Sequence, residues 1–131
     1  MIVKGEINGL QATLLIDTGA SRTVFDRSWI EKVMPASGVT DNEKLSVGLG
    51  TNSMPSIVTV IDLISFGHLK IKNYQAVALD LSHVLESYSK LGLPRVDGIL
   101  GGDLLYQYRA VVDYGKSILT LNPHKRRARK S

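Results

Sequence analysis

Residues 14–25 read LLIDTGASRTVF, a stretch in which a single acidic side chain, Asp17, follows directly on an apolar run. Leu14-Leu15-Ile16 has the composition of a buried strand. An ionised carboxylate at the end of such a strand loses hydration unless hydrogen bonds or a shared proton compensate. Asp17 therefore either shapes a turn or takes part in chemistry. The residues after it suit a tight loop. Gly19 lets the backbone turn sharply and leaves its N–H free to donate to a carboxylate. Thr18 carries a hydroxyl able to bond across to a facing loop, and Ala20 is small enough to let that loop approach. Ser21 can donate to the outer oxygen of Asp17 and stabilise its charged form.

Outward from this loop, the pattern is one of short strands. Ile2–Ile7 and Leu10–Ile16 flank Asn8-Gly9, the pair that most favours a two-residue hairpin turn, because both positions need positive φ. Beyond the loop a short TVF strand leads to Asp26, placed to cap a helix whose Trp29, Ile30, Val33 and Met34 form one apolar face and which Pro35 ends. Residues 44–64 read as strand, glycine-rich tip and strand, with Gly48, Gly50 and Asn52 giving backbone freedom at the bend. Residues 69–81 predict another strand. A helix follows, with Ser82 as its N-cap, Val84, Leu85, Tyr88 and Leu91 at helical spacing and Gly92 as its stop. The last third predicts a buried strand, a glycine pair, a short helix from about Asp103, and strands at 110–113 and 117–121 joined by a tight turn.

Bulk composition narrows the function classes. A chain of 131 residues with 44% hydrophobic content builds one domain with a real core. No apolar run approaches the roughly 18 residues of a membrane span. The net charge of +4 suggests a nucleic-acid binder until the charges are located. Lys125, Arg126, Arg127, Arg129 and Lys130 crowd the end, whereas residues 1–124 hold eleven basic against twelve acidic residues, about −1. The expectation is a near-neutral domain over 1–124 and a basic disordered tail over 125–131. Contact of that tail with nucleic acid or an anionic membrane is the alternative. The absence of cysteine removes disulfides, thiol nucleophiles and thiolate metal sites. The start of the chain shows no basic segment followed by an apolar one, which favours a cytoplasmic location.

An apolar pair followed by Asp17-Thr18-Gly19-Ala20-Ser21 after a hairpin resembles the active-site loop of aspartic proteases, and a single copy in a short chain resembles their retropepsin-like branch. Two further features extend the resemblance over about residues 2–121. In that family an apolar pair plus glycine recurs before a short C-terminal helix, and here Ile99-Leu100-Gly101 stands before GDLLYQY. Between the motifs the family places a flap hairpin, for which residues 44–64 are the candidate, with Gly48, Leu49, Gly50, Thr51, Asn52 and Ser53 at the tip over the substrate. The resemblance implies a mostly β, closed-barrel-like acid protease fold with a flap hairpin and two or three short helices. It implies a peptide or protein substrate and no cofactor or metal. Ile99, Leu100 and Gly101 then have a packing role, the glycine letting this segment pass close behind the Asp17 loop. Leu49 and Ile57 are candidates to line substrate pockets.

One carboxylate is too few for this hydrolysis, because one group must take a proton from water while another donates to the scissile carbonyl. Asp113, in VVDYG, imitates the motif but has tyrosine in place of the threonine and lies where a hairpin turn is expected. A homodimer supplies the second acid more economically, by bringing Asp17 against its own copy at a two-fold axis. The resemblance implies the same assembly, with residues 1–7 or 117–121 as interface candidates. The competing reading is a non-catalytic dimerisation or peptide-binding module of the same fold. Other chemistries have little support. His68, His83 and His124 lack metal-ligand spacing. Ser21 has no nucleophile-elbow context. The Gly48-Leu49-Gly50 pattern lacks the lysine of a phosphate loop. Asp97-Gly98 reads as a turn and Asp103 as a helix N-cap.

Overall fold

The computed structural model of the chain describes residues 1–34, 39–42 and 56–123. Strands β1 (Ile2–Ile7) and β2 (Leu10–Ile16) form the opening hairpin. Its turn has Asn8 at φ 49° and Gly9 at φ 83°, the left-handed pair that matches strand twist. Along β2 the side chains of Ala12, Leu14 and Ile16 point inward in strict alternation. Strand β3 (Val24–Asp26) leads into α1 (Arg27–Val33), which buries Ile30 and stacks Trp29 on Phe25 at 6.2 Å. Strand β4 (Val39–Asn42) pairs with the first part of β5 (Ser56–Phe66), from Val39 opposite Thr59 to Asn42 opposite Ser56. These are the bases of the two arms of the expected hairpin, whose first arm starts earlier than residue 44. Its tip, Gly48 to Ser53, lies outside the described residues, as do Pro35, His124 and the basic tail.

A tight turn at Gly67 joins β5 to β6 (Leu69–Leu79), and α2 (Ser82–Lys90) follows. Then come β7 (Gly98–Leu100), α3 (Gly102–Gln107) and the hairpin of β8 (Val111–Asp113) and β9 (Ile118–Thr120). The sheet runs β1-β2-β7-β3-β6-β5 and closes where β5 meets β1, giving a six-stranded barrel with β4 as an added strand on β5. The closing seam is short: Glu6 pairs with Ser65 and Ile7 with Ile64. Asn8 reinforces it, donating its N–H to the Leu63 carbonyl at 2.9 Å and accepting the Leu63 N–H on its side chain at 3.1 Å.

The apolar residues fall into two clusters. The larger fills the barrel with Ile7, Leu14, Phe25, Ile61, Leu100 and their neighbours, and Val112 and Leu119 pack against it from the β8–β9 hairpin. The smaller joins Ala20, Val24, Val77, Leu79, Leu81 and Ile99, and Val84 and Leu85 of α2 pack against it. Ile57 is fully buried in the larger cluster, so it is a core residue and lines no substrate pocket.

Three polar residues differ from their sequence-based roles. Asp26 occupies the N-cap position of α1, yet its side chain makes no capping bond. Its buried carboxylate instead accepts the Leu81 N–H at 3.2 Å and lies 3.6 Å from the Arg95 guanidinium, since an enclosed charge must find partners wherever the fold offers them. Ser82 is the first residue of α2 and not its cap. The carboxylate of Asp80 takes the Ser82 N–H at 2.9 Å, and that bond, with the Ser82 hydroxyl, holds Asp80 below the usual carboxylate pKa. Asp97 makes a tie between strands and not only a turn: it accepts the Thr13 N–H on its side chain at 2.8 Å, and its own N–H reaches the Thr13 carbonyl.

Candidate active site

Asp17 stands where β2 leaves the barrel. Its N–H donates to the Leu100 carbonyl at 3.1 Å, so β7 fixes the start of the loop. Its carbonyl accepts the Ala20 N–H at 3.1 Å, closing a tight turn. The Gly19 N–H donates to Asp17 Oδ1 at 2.9 Å, a charge-assisted bond. Asp17 is half-buried at the barrel mouth, between the buried Ile16 and the exposed Thr18 and Gly19. An apolar strand thus ends in an acid because the strand delivers that acid to the rim: one oxygen is held by the loop and solvent reaches the group.

Gly101 lies directly behind this loop. A Cβ there would stand 2.5 Å from the carbonyl carbon and oxygen of Arg22, closer than any side chain tolerates. The Gly101 N–H donates to Thr23 Oγ1 at 2.9 Å, and the Gly102 N–H to the Ala20 carbonyl at 2.7 Å. Ile99 and Leu100 are buried on either side of β7, one in each apolar cluster.

Behind the loop is a polar network centred on Asp103. Its Oδ1 accepts both the Thr23 N–H at 2.8 Å and the Thr23 hydroxyl at 2.7 Å, and its Oδ2 accepts the Tyr74 hydroxyl at 2.6 Å. Asp103 is therefore a bracket joining the Asp17 loop, α3 and β6, and not the N-cap of α3, a position held by Gly101. The Tyr74 phenol is pushed well above its ordinary pKa, first by burial, then by its bond to Asp103 and the charge of that carboxylate. The only sequence signals of this network are a threonine between charged Arg22 and apolar Val24, and an acid placed just after two glycines.

Thr18 is exposed and borders a hollow of about 290 Å³ with Gly102, Leu105, Tyr106, Ala110 and Val112. Ser21 is exposed, and among the described residues no hydrogen bond joins it to Asp17. Asp113 sits apart in the β8–β9 turn, where its side chain accepts the Lys116 N–H at 3.0 Å. On the other flank, burial and the nearby charge of Asp17 raise the pKa of the Tyr88 phenol on α2. Among the described residues no three histidine or acidic side chains gather in a form that could hold a metal ion. Nor is any helix there long and apolar enough to cross a membrane.

The barrel resembles solved structures. It matches the retroviral protease-like domain of Ddi1 from Leishmania major with a TM-score of 0.61 and 16% identity, over 92% of this chain and 86% of that one. It matches a retropepsin-like aspartic protease from Rickettsia conorii with a TM-score of 0.57 and 17% identity, over 90% of this chain and 78% of that one. At such identities the likeness shows the fold alone, and that fold is retropepsin-like. No curated protein sequence matches significantly. A family model described as aspartyl protease matches residues 3–104, a span that runs from the first strand through the Asp17 loop to the start of α3. By that match the chain belongs to the aspartyl protease family.

Proposed function

We propose that the protein is an aspartic endopeptidase whose catalytic centre forms between Asp17 of two identical subunits. The observation that carries this reading is the position of Asp17: a half-buried carboxylate at the barrel rim, held on one oxygen by Gly19 and anchored through its backbone to β7. In the proposed dimer the two carboxylates share a proton and hold one water. The ionised member takes a proton from the water as its oxygen attacks the scissile carbonyl carbon, while the protonated member donates to the carbonyl oxygen. The resulting diol collapses, the C–N bond breaks and the nitrogen leaves with a proton returned from the pair. No covalent enzyme intermediate forms. Residues 48–53 would close over the extended peptide and exclude water.

The joining surface in this proposal is the outer face of the β8–β9 hairpin, continuous with the hollow beneath Thr18. Val112 and Leu119 turn inward, which leaves Val111 62% and Ile118 49% exposed on the opposite face, with Tyr106 and Tyr114 bare nearby. Covering side chains that are already half-buried stabilises an association by less than the roughly 1.5–3 kcal/mol each that full burial from water contributes.

Replacement of Asp17 by Asn tests the reading. The variant should lose cleavage of a peptide library across acid to neutral pH and keep the sedimentation behaviour of the wild type. For the wild type, activity should fall faster than linearly on dilution. A folded dimer that cleaves nothing would leave the non-catalytic peptide-binding module instead.

A further inference from the structure

We propose that Asp26 and Arg95 are positioning residues for the catalytic turn: the buried carboxylate clasps both feet of α2, and α2 in turn supports the loop that presents Asp17. The inference rests on the reading of Asp17 as the catalytic acid and adds to it a support outside the loop itself.

Strand β3 lies between β6 and β7, with Asp26 opposite Leu79 on one side and Phe25 opposite Gly98 on the other. The chain leaves β6 at Leu79, forms α2 and returns to begin β7 at Gly98, so this excursion starts and ends on either side of β3. Asp26, the last residue of β3, meets both ends. Its Oδ1 accepts the Leu81 N–H at 3.2 Å where α2 departs, and its Oδ2 stands 3.6 Å from the Arg95 guanidinium where the chain comes back. Its own N–H donates to the Asp97 carbonyl at 2.8 Å, one residue before β7. Burying a charge is costly, and apolar residues of similar volume stabilise a fold at least as well. What the charge adds at this fork is direction, because it draws two distant points of the chain to one place.

The helix passes that constraint on to the site. Leu81 belongs to the smaller apolar cluster, on which Val84 and Leu85 also pack, and Ala20 and Ile99 are members of the same cluster. Ala20 closes the catalytic turn by donating its N–H to the Asp17 carbonyl, and Ile99 pairs with Leu15, two residues before Asp17. A loosened α2 therefore withdraws packing from beneath Ala20 while β2 and β7 stay paired. The Asp17 carboxylate is then held less firmly, and a small misplacement of a reacting group lowers the rate of the chemical step.

The clasp can open without unfolding the barrel. Asp26 and Arg95 both border a hollow of about 610 Å³ beside α2, the Arg95 side chain is 69% exposed, and their separation is longer than a hydrogen bond. The hollow faces away from the reacting groups. Ser82, Glu86 and Ser89 on its wall follow i, i+4 and i+7, a different side of the helix from Tyr88, whose phenol feels the charge of Asp17. Asp26 and Arg95 thus act on the site through α2 and not by touching the peptide.

The test uses the full chain, one peptide that the wild type cleaves, and three variants. Arg95→Met removes the outer half of the clasp. Asp26→Asn keeps an oxygen for the Leu81 N–H but carries no charge for Arg95. Arg95→Lys keeps a cation. At a temperature where circular dichroism shows the variants folded, Arg95→Met and Asp26→Asn should lose about fivefold to tenfold in kcat with KM within about twofold, and Arg95→Lys should recover most of that loss. A rise in KM with kcat unchanged overturns the proposal, because these groups would then meet the peptide directly. A lower melting temperature, or loss of the fold, without a specific fall in kcat overturns it as well, since the role would be structural only. Amide hydrogen exchange at Ala20, which needs no substrate, separates this inference from the catalytic reading. Exchange there should quicken by about tenfold in Arg95→Met and Asp26→Asn, as local opening becomes easier. An unchanged rate at Ala20 sinks the clasp. Faster exchange with no cleavage by the wild type sinks the catalytic reading alone.

Discussion

Asp103 gathers three donors onto one side chain, two from Thr23 and one from Tyr74, and so connects the loop that carries Asp17 to β6, the neighbour of β3 in the barrel. This bracket has a pH signature. The phenol of Tyr74 ionises at higher pH in the folded chain than in the unfolded one, so the folded state retains the proton longer. Above about pH 10, where free tyrosine loses its proton, stability should therefore fall until the folded phenol ionises too. Tyr74→Phe, compared with the wild type by urea unfolding from pH 8 to 11, should show a shallower alkaline decline. An equally steep decline would mean that Tyr88 and Tyr108, whose phenols are also raised, account for it. Asp17 is readable in the sequence because its neighbours are adjacent and their types are restrictive. Asp103 is not: its partners lie 80 and 29 residues away, and an acid after two glycines looks like any helix cap.

Among the elements, legibility follows locality. The β1–β2 hairpin is fully specified by Asn8-Gly9 and by alternation in β2. By contrast, β3 and β7 are three residues each, too short to show a period, and they gain their identity only by pairing with each other and with β2 and β6. The N-cap position of α2 falls on Leu81 instead of Ser82, with Asp80 just before it holding the Ser82 N–H, a shift of one residue that propensity alone does not resolve. The β7–α3 junction bears the sharpest constraint. Gly101→Ala should lower stability by about 1–3 kcal/mol or more, because the Arg22 and Thr23 backbone must move away to admit a methyl group. If Gly101 instead tolerates alanine with an unchanged urea midpoint, the loop is free to move and the close approach contributes little.

At the scale of the whole molecule, the order of hairpin, acidic loop, second hairpin, apolar-apolar-glycine motif and helix is legible along the chain. Barrel closure is not, because β5 meets β1 through only two residue pairs. The near-neutral balance of residues 1–124 steers attention from the total charge to the Asp17 loop. Ile118→Lys tests the proposed pairing of subunits. The side chain is half exposed in the single chain, so the fold should persist by circular dichroism. A lysine facing its own symmetry mate should shift sedimentation to the monomer and reduce cleavage at least tenfold at low micromolar protein. Unchanged sedimentation would remove the β8–β9 face from the interface.

The insertion of β7 between β2 and β3 also governs when, during synthesis, the Asp17 loop is set in place. Leu14 pairs with Gly98 and Ile16 with Leu100, contacts that cannot exist until residues 98–100 have left the ribosome. A nascent chain short of residue 100 therefore carries Asp17 without the bond that its N–H donates to the Leu100 carbonyl. On the proposed reading, cleavage of neighbouring chains is thus deferred until residues 98–100 have emerged.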